Sequence, residues 1–159
     1  MFAETSVRCF EYVARPYEKV RDALASEGNV IFHEATKLAE ARASVDSAGL
    51  HLKIGGVELG KEVNVEVISF EEVECQKRKY SNLRFRWQAA ENPRLFPRMT
   101  ANLRIYPITF NQSQLVLEGK YEPPLGLLGK AIDTIVGHDA AEVTTQHFVT
   151  EVAKYLQNI

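Results

Sequence analysis

The chain has 159 residues, 45% of them hydrophobic and 25% charged, with a net charge of −2. That composition fits a single domain over 1–159, able to bury roughly two thirds of its unfolded surface, and excludes a disordered chain. It also excludes an overall electrostatic footprint for nucleic acid, although Lys77 to Arg104 carries eight basic residues against one acid, Glu91, while the remainder carries 11 against 20.

Cys9 and Cys75 lie far apart and match no metal or disulfide spacing, so two free, buried thiols are expected. The N-terminus has no basic region leading into an apolar run, and no stretch approaches the ~20 apolar residues of a transmembrane segment. The expectation is a cytoplasmic protein in a reducing setting, without metal or cofactor.

Thr5 to Val13 reads as a strand in which Val7, Cys9 and Val13 alternate with Ser6 and Arg8. Phe10 and Tyr12 blur its inner face. After Pro16, the residues Tyr17, Val20 and Leu24 follow at helical spacing, and Gly28 reads as a terminator. Asn29 is placed to cap a second short helix through Ile31, Phe32, Ala35 and Leu38.

From Val45 onward the period becomes two. Leu50, Leu52 and Ile54 form one alternating set, and Val63, Val65 and Val67 form another against Glu62, Asn64 and Glu66. Leu83, Phe85, Trp87 and Ala89 alternate with Arg84, Arg86 and Gln88. Ala101, Leu103 and Ile105 follow, then a turn at Asn111-Gln112-Ser113 and a last strand through Leu115, Leu117, Gly119 and Tyr121. With no helix between them, these six or seven strands predict an antiparallel meander. The chain ends in about thirty residues free of proline, a helix that at ~1.5 Å per residue would reach roughly 45 Å. A curved sheet must wrap it.

The segment Leu117-Glu118-Gly119-Lys120-Tyr121-Glu122-Pro123-Pro124-Leu125-Gly126-Leu127-Leu128-Gly129, with Asp133 and Ala140-Ala141-Glu142, resembles the strand-to-helix entry of many small START-like (SRPBCC) proteins. Ala14-Arg15-Pro16-Tyr17-Glu18-Lys19-Val20 resembles their first strand-to-helix junction. The resemblance spans the chain and implies an α+β helix-grip fold, in which a curved antiparallel sheet of six or seven strands wraps a long C-terminal helix, with two short helices after the first strand. It further implies a cavity between sheet and helix for a small hydrophobic molecule such as a lipid, quinone or polyketide.

On that reading Val65, Phe85, Trp87, Leu103, Ile105, Leu117 and Tyr121 on the sheet, and Ile132, Val136 and His147 on the helix, face the ligand. Tyr121, His147 and Glu11 are the candidates for acid or base chemistry. His33, His51, His138 and His147 are dispersed and show no metal-ligand spacing. Two apolar faces on the long helix, Leu128-Ile132-Ile135-Val136-Val143 and Phe148-Val149-Val152-Leu156, leave open a bend near Gly137, a contact with the short helices, or a homodimer. Arg84, Arg86 and Arg104 share outward parity, balanced by Glu62 and Glu66. Three functions follow: a hydrophobic-ligand binder, which leads, a polyketide cyclase/dehydratase-like enzyme, and a chaperone-like or interaction module with a filled core.

Overall fold

The computed structural model describes residues 5–46, 63–89, 98–122 and 134–159. Strand β1 (Thr5–Val13) is followed by helix α1 (Tyr17–Asp46), the strands β2 (Val63–Cys75), β3 (Arg78–Ala89), β4 (Arg98–Thr109) and β5 (Gln112–Glu122), and helix α2 (Thr134–Gln157). The five strands form one antiparallel sheet in the order β1-β5-β4-β3-β2. Six or seven strands were expected, and the set Leu50, Leu52 and Ile54 lies outside the described residues.

Pro16 opens α1 as its fixed φ predicts, and its carbonyl accepts hydrogen bonds from the N–H groups of Lys19 and Val20 at 3.1 and 3.2 Å. Two short helices separated at Gly28 were expected here. Two helical segments are present, and they meet at a kink at Glu27 (φ −125°, ψ 20°), one residue before Gly28, so that they run on as the single element α1. Asn29 does not act as a cap. Its Oδ1 accepts the N–H of Val67 at 3.3 Å, next to the register shift between Val67 and Ser69 that bends β2. Gly28 is buried at this crossing, where a β-carbon would lie 3.5 Å from Leu83 and 3.7 Å from Val67, so α1 reaches the sheet closely.

Antiparallel pairing sends alternate residues to one face. Leu83, Phe85 and Trp87 of β3, Met99, Ala101, Leu103 and Ile105 of β4, and Leu115 and Leu117 of β5 are buried on the inner face. Val7 and Val13 of β1 join them, while Phe10 and Tyr12 point to the opposite face and stay exposed. Against the inner face lie Val20, Leu24, Ile31, Phe32 and Ala35 of α1, and Phe148, Val149, Val152, Ala153 and Leu156 of α2. The second half of α2 therefore meets α1 and β1. The side chains of Leu128, Ile132, Ile135, Val136 and Val143 fall outside the described set, and Gly137 lies within α2.

Gly119, the glycine of the strand-to-helix segment, has a steric reason. A β-carbon there would come 2.9 Å from the sulfur of Met99 and 3.2 Å from the Ala101 β-carbon. The missing side chain lets Met99 lie across β5.

Candidate functional site

The inner face of the sheet is closed at its centre by aromatic rings. Phe32 of α1 stands 4.8 Å from Phe85 and 5.2 Å from Phe148, between centroids, and Trp87 stands 5.5 Å from Phe148. Edge-on and tilted contacts of this kind suit ring quadrupoles and leave little room between them. Of the residues expected to face a ligand, Phe85, Leu103, Ile105 and Leu117 are fully buried in this packing, and Trp87 is 8% exposed. Val65 is half-buried and rests against the same core. The side chains of Tyr121, Ile132 and Val136 lie outside the described set.

Open space occurs at the side of this core, where α2 runs along β1. A groove of about 500 Å³ is lined by Val7, Arg8 and Cys9 of the strand and by Glu142, Thr145, Gln146 and His147 of the helix. The pattern that builds it is simple. Val7 and Cys9 share the inner parity of β1, while positions 142, 145 and 146 are three and four residues apart on one helical stripe. The strand thus supplies the apolar wall and the helix the polar one. Among the sequence-predicted residues, His147 is brought into this groove.

Glu11 also has inner parity, but both of its oxygens are engaged. Oε1 accepts the N–H of Tyr12 at 3.2 Å, and Oε2 accepts the hydroxyl of Thr150 at 3.3 Å. The carboxylate ties β1 to α2 one turn beyond His147. Thr145 is buried, Glu142 is exposed and His147 is half-buried, so polarity increases toward the mouth of the groove.

Cys9 lies in the groove as a protonated thiol. Burial raises its pKa from 9.0 to about 12, and the carboxylates of Glu11 and Glu142 push it in the same direction. That shift disfavours a nucleophilic thiolate at neutral pH. Both cysteines are free, and neither is fully buried as expected: Cys9 is half-buried and Cys75, at the end of β2, is exposed. Among the described residues, no group of three or more His, Cys, Asp or Glu is placed to hold a metal ion. None of their helices is long and apolar enough to cross a membrane.

Val7, Arg8, Cys9, Glu142, Thr145 and Gln146 were not predicted as lining residues. Inner parity on β1 was available as a signal for Cys9. The three helix residues required knowing which stripe of α2 faces β1, and the apolar pattern of α2 with its two faces does not decide that.

No family model and no curated protein sequence matches the chain. Solved structures do match it along nearly its whole length. The Zhui aromatase/cyclase from Streptomyces sp. R1128 is similar with a TM-score of 0.49 and 14% identity, covering 98% of this chain and 95% of that one. A START superfamily protein from Mycobacterium smegmatis has a TM-score of 0.43 and 11% identity, over 98% and 99% of the two chains. A truncated norcoclaurine synthase from Thalictrum flavum has a TM-score of 0.40 and 7% identity, over 94% and 93%. The chain's own topology, with β1 returning beside the last strand, α1 inserted after β1 and the C-terminal helix packed on the inner face, is consistent with a helix-grip fold.

Proposed function

We propose that the protein binds a small hydrophobic molecule of the lipid, quinone or polyketide kind in the groove between β1 and α2. The observation that carries this reading is the groove itself. Its volume, about 500 Å³, falls among the ~300–1,000 Å³ of small-molecule sites, which combine apolar walls with a few placed polar groups. Val7 and Cys9 give the ligand's apolar body a wall, and Thr145, Gln146 and His147 give a polar end its partners. The ring cluster of Phe32, Phe85, Trp87 and Phe148 limits how far the ligand enters.

The test is native mass spectrometry of protein purified from its own host, before and after organic extraction. An additional mass that leaves on extraction identifies the ligand class, and the same spectrum reports whether the protein is a homodimer. Titration of apo protein with lipids, quinones and polyketide-like aromatics follows binding through Trp87, the one tryptophan of the chain. No response to any of the three classes, with no carried mass, overturns the reading in favour of a filled-core interaction module.

A cyclase-like enzyme is the second reading, favoured by His147 and Glu142 sharing one groove. Conversion of a poly-β-keto thioester to a cyclic product, lost in His147→Gln while binding persists, would establish it.

A further inference from the structure

The solvent face of the sheet divides into two unlike halves. Away from the hairpin tips its charges are paired: Arg8 and Arg104 lie 3.3 and 3.4 Å from Glu118, and Arg86 lies 2.8 Å from Glu66. Toward the tips the face turns aromatic. Phe10 is 55% exposed and stands 5.8 Å from Tyr12, Tyr80 stacks on Tyr106 at 5.2 Å, and Ile108 is 47% exposed. The apex of the β4–β5 hairpin carries Phe110, 89% exposed.

Beside that apex sits the β2–β3 turn. Ser81 is paired with Ile105, and continuing this antiparallel register toward the turn brings Arg78 alongside Ile108. The two residues line one broad depression of about 900 Å³ with Arg8, Phe10, Tyr106, Pro107, Gln114 and Val116. Among the described residues, Lys77 and Arg78 enter no ion pair, whereas the neighbouring Lys79 is held by Glu72 at 3.7 Å. Glu72 and Glu74 belong to the other face, paired in register with Ser81 and Lys79, and the first acid on the aromatic face is Glu71 of the edge strand.

We propose that this tip docks on an anionic lipid surface, Phe110 and Ile108 entering the headgroup region while Lys77 and Arg78 meet lipid phosphates. Stable attachment to a bilayer needs two signals, and a protruding apolar pair flanked by unpaired cations provides both. Charge argues against a second copy of this chain as occupant. A twofold contact centred on the patch would set Arg78 against its own kind with no acid to receive it. The depression meets the groove between β1 and α2 at Arg8, but Ile108, Phe110, Lys77 and Arg78 do not line the groove, so substitutions at the tip separate membrane binding from ligand titration.

Flotation of the full chain with phosphatidylcholine vesicles, and with vesicles of equal parts phosphatidylcholine and phosphatidylglycerol, tests the proposal. Binding is expected to the mixed vesicles only and to weaken in molar salt. Lys77→Ser and Arg78→Ser should each weaken it about fivefold, from the roughly 1 kcal/mol that one surface cation contributes. Phe110→Ser should remove most of it, and being so exposed should leave the melting temperature unchanged. No flotation with the mixed vesicles overturns the proposal, as does flotation unaltered in Phe110→Ser and Arg78→Ser. A dimer in sedimentation that Phe110→Ser dissociates, with vesicle binding at background, assigns the face to a second copy and overturns it as well.

Discussion

Phe148 of α2 and Trp87 of β3 stand perpendicular to each other, with 88° between ring planes and 5.5 Å between centroids. The contact joins the C-terminal helix to the centre of the sheet, and Phe148 also touches Phe32 and Phe85. It is the keystone of the closed part of the interior. Phe148→Ala should destabilise the protein by about 3–5 kcal/mol, the loss typical of a buried ring whose surroundings relax only partly. Chemical denaturation followed at Trp87 would measure this. A loss below about 1 kcal/mol would show that the ring contributes little packing.

Tyr17 holds the start of α1 to the β2–β3 hairpin. Its hydroxyl lies 2.7 Å from the buried hydroxyl of Ser81 and 3.5 Å from Glu72, while Arg21 stacks over its ring at 5.6 Å and bonds Glu72 at 3.1 Å. Tyr17→Phe removes the partner of a fully buried serine and should cost about 1–3 kcal/mol. Adding Ser81→Ala to that variant removes the orphaned group, and thermal melts should show part of the stability returning. Equal melting of the single and double variants would mean that Ser81 finds another partner.

The two described glycines of the core should respond in opposite directions. A methyl at Gly28 would meet Leu83 and Val67 at ordinary van der Waals distance within a helix. Gly28→Ala should therefore stabilise by up to about 1 kcal/mol, through helix propensity and reduced freedom of the unfolded chain. Gly119→Val forces atoms into Met99 and Ala101 and should destabilise by about 1–3 kcal/mol or more. Melting both variants beside the wild type checks the pair of signs.

What the sequence revealed of this fold followed from burial on one face. Val7, Leu83, Phe85, Trp87, Leu103, Ile105, Leu115 and Leu117 alternate with polar residues because one side of their strands is dry, and all eight are buried as expected. The distal half of the β2–β3 hairpin was not legible for the converse reason. Ser69 to Cys75 and Arg78 to Tyr80 lie largely in solvent, so no alternation marks them. Its turn uses Gln76 and Lys77 at φ 51° and 65°, where glycine or asparagine would have signalled a hairpin. The break read at Gly28 falls one residue earlier, at the Glu27 kink of α1, and Gly28 and Asn29 also serve a close helix–sheet crossing and a bond to β2. The groove was legible only in part: His147 and Glu11 were singled out, but the register of α2 against β1 is a tertiary fact. That register decides that His147 enters the groove and Glu11 becomes a tie.

The shifted thiol gives a pH dependence with a definite sign. Cys9 has an ordinary value of 9.0 and is raised by burial, then by Glu11 and Glu142, to about 12. Below pH 9 the thiol is protonated in both folded and unfolded chains, and its contribution to stability is fully present. As pH rises above 9 the unfolded chain releases the proton and the folded chain keeps it. The unfolded state then binds fewer protons, and stability falls with pH. Tyr17, raised first by burial, adds a loss of the same sign at higher pH. Cys9→Ala should be less stable than the wild type near neutrality, because it gives up packing, yet lose less stability between pH 8 and pH values near 11. Denaturant midpoints across that range would show the two curves converging. Thiol alkylation offers an independent check at fixed pH. In native protein at pH 8, iodoacetamide should modify the exposed Cys75 and spare Cys9, and both should react once the chain is unfolded. Parallel midpoint curves together with rapid labelling of native Cys9 would place that thiol in water, and would remove the apolar wall from the groove.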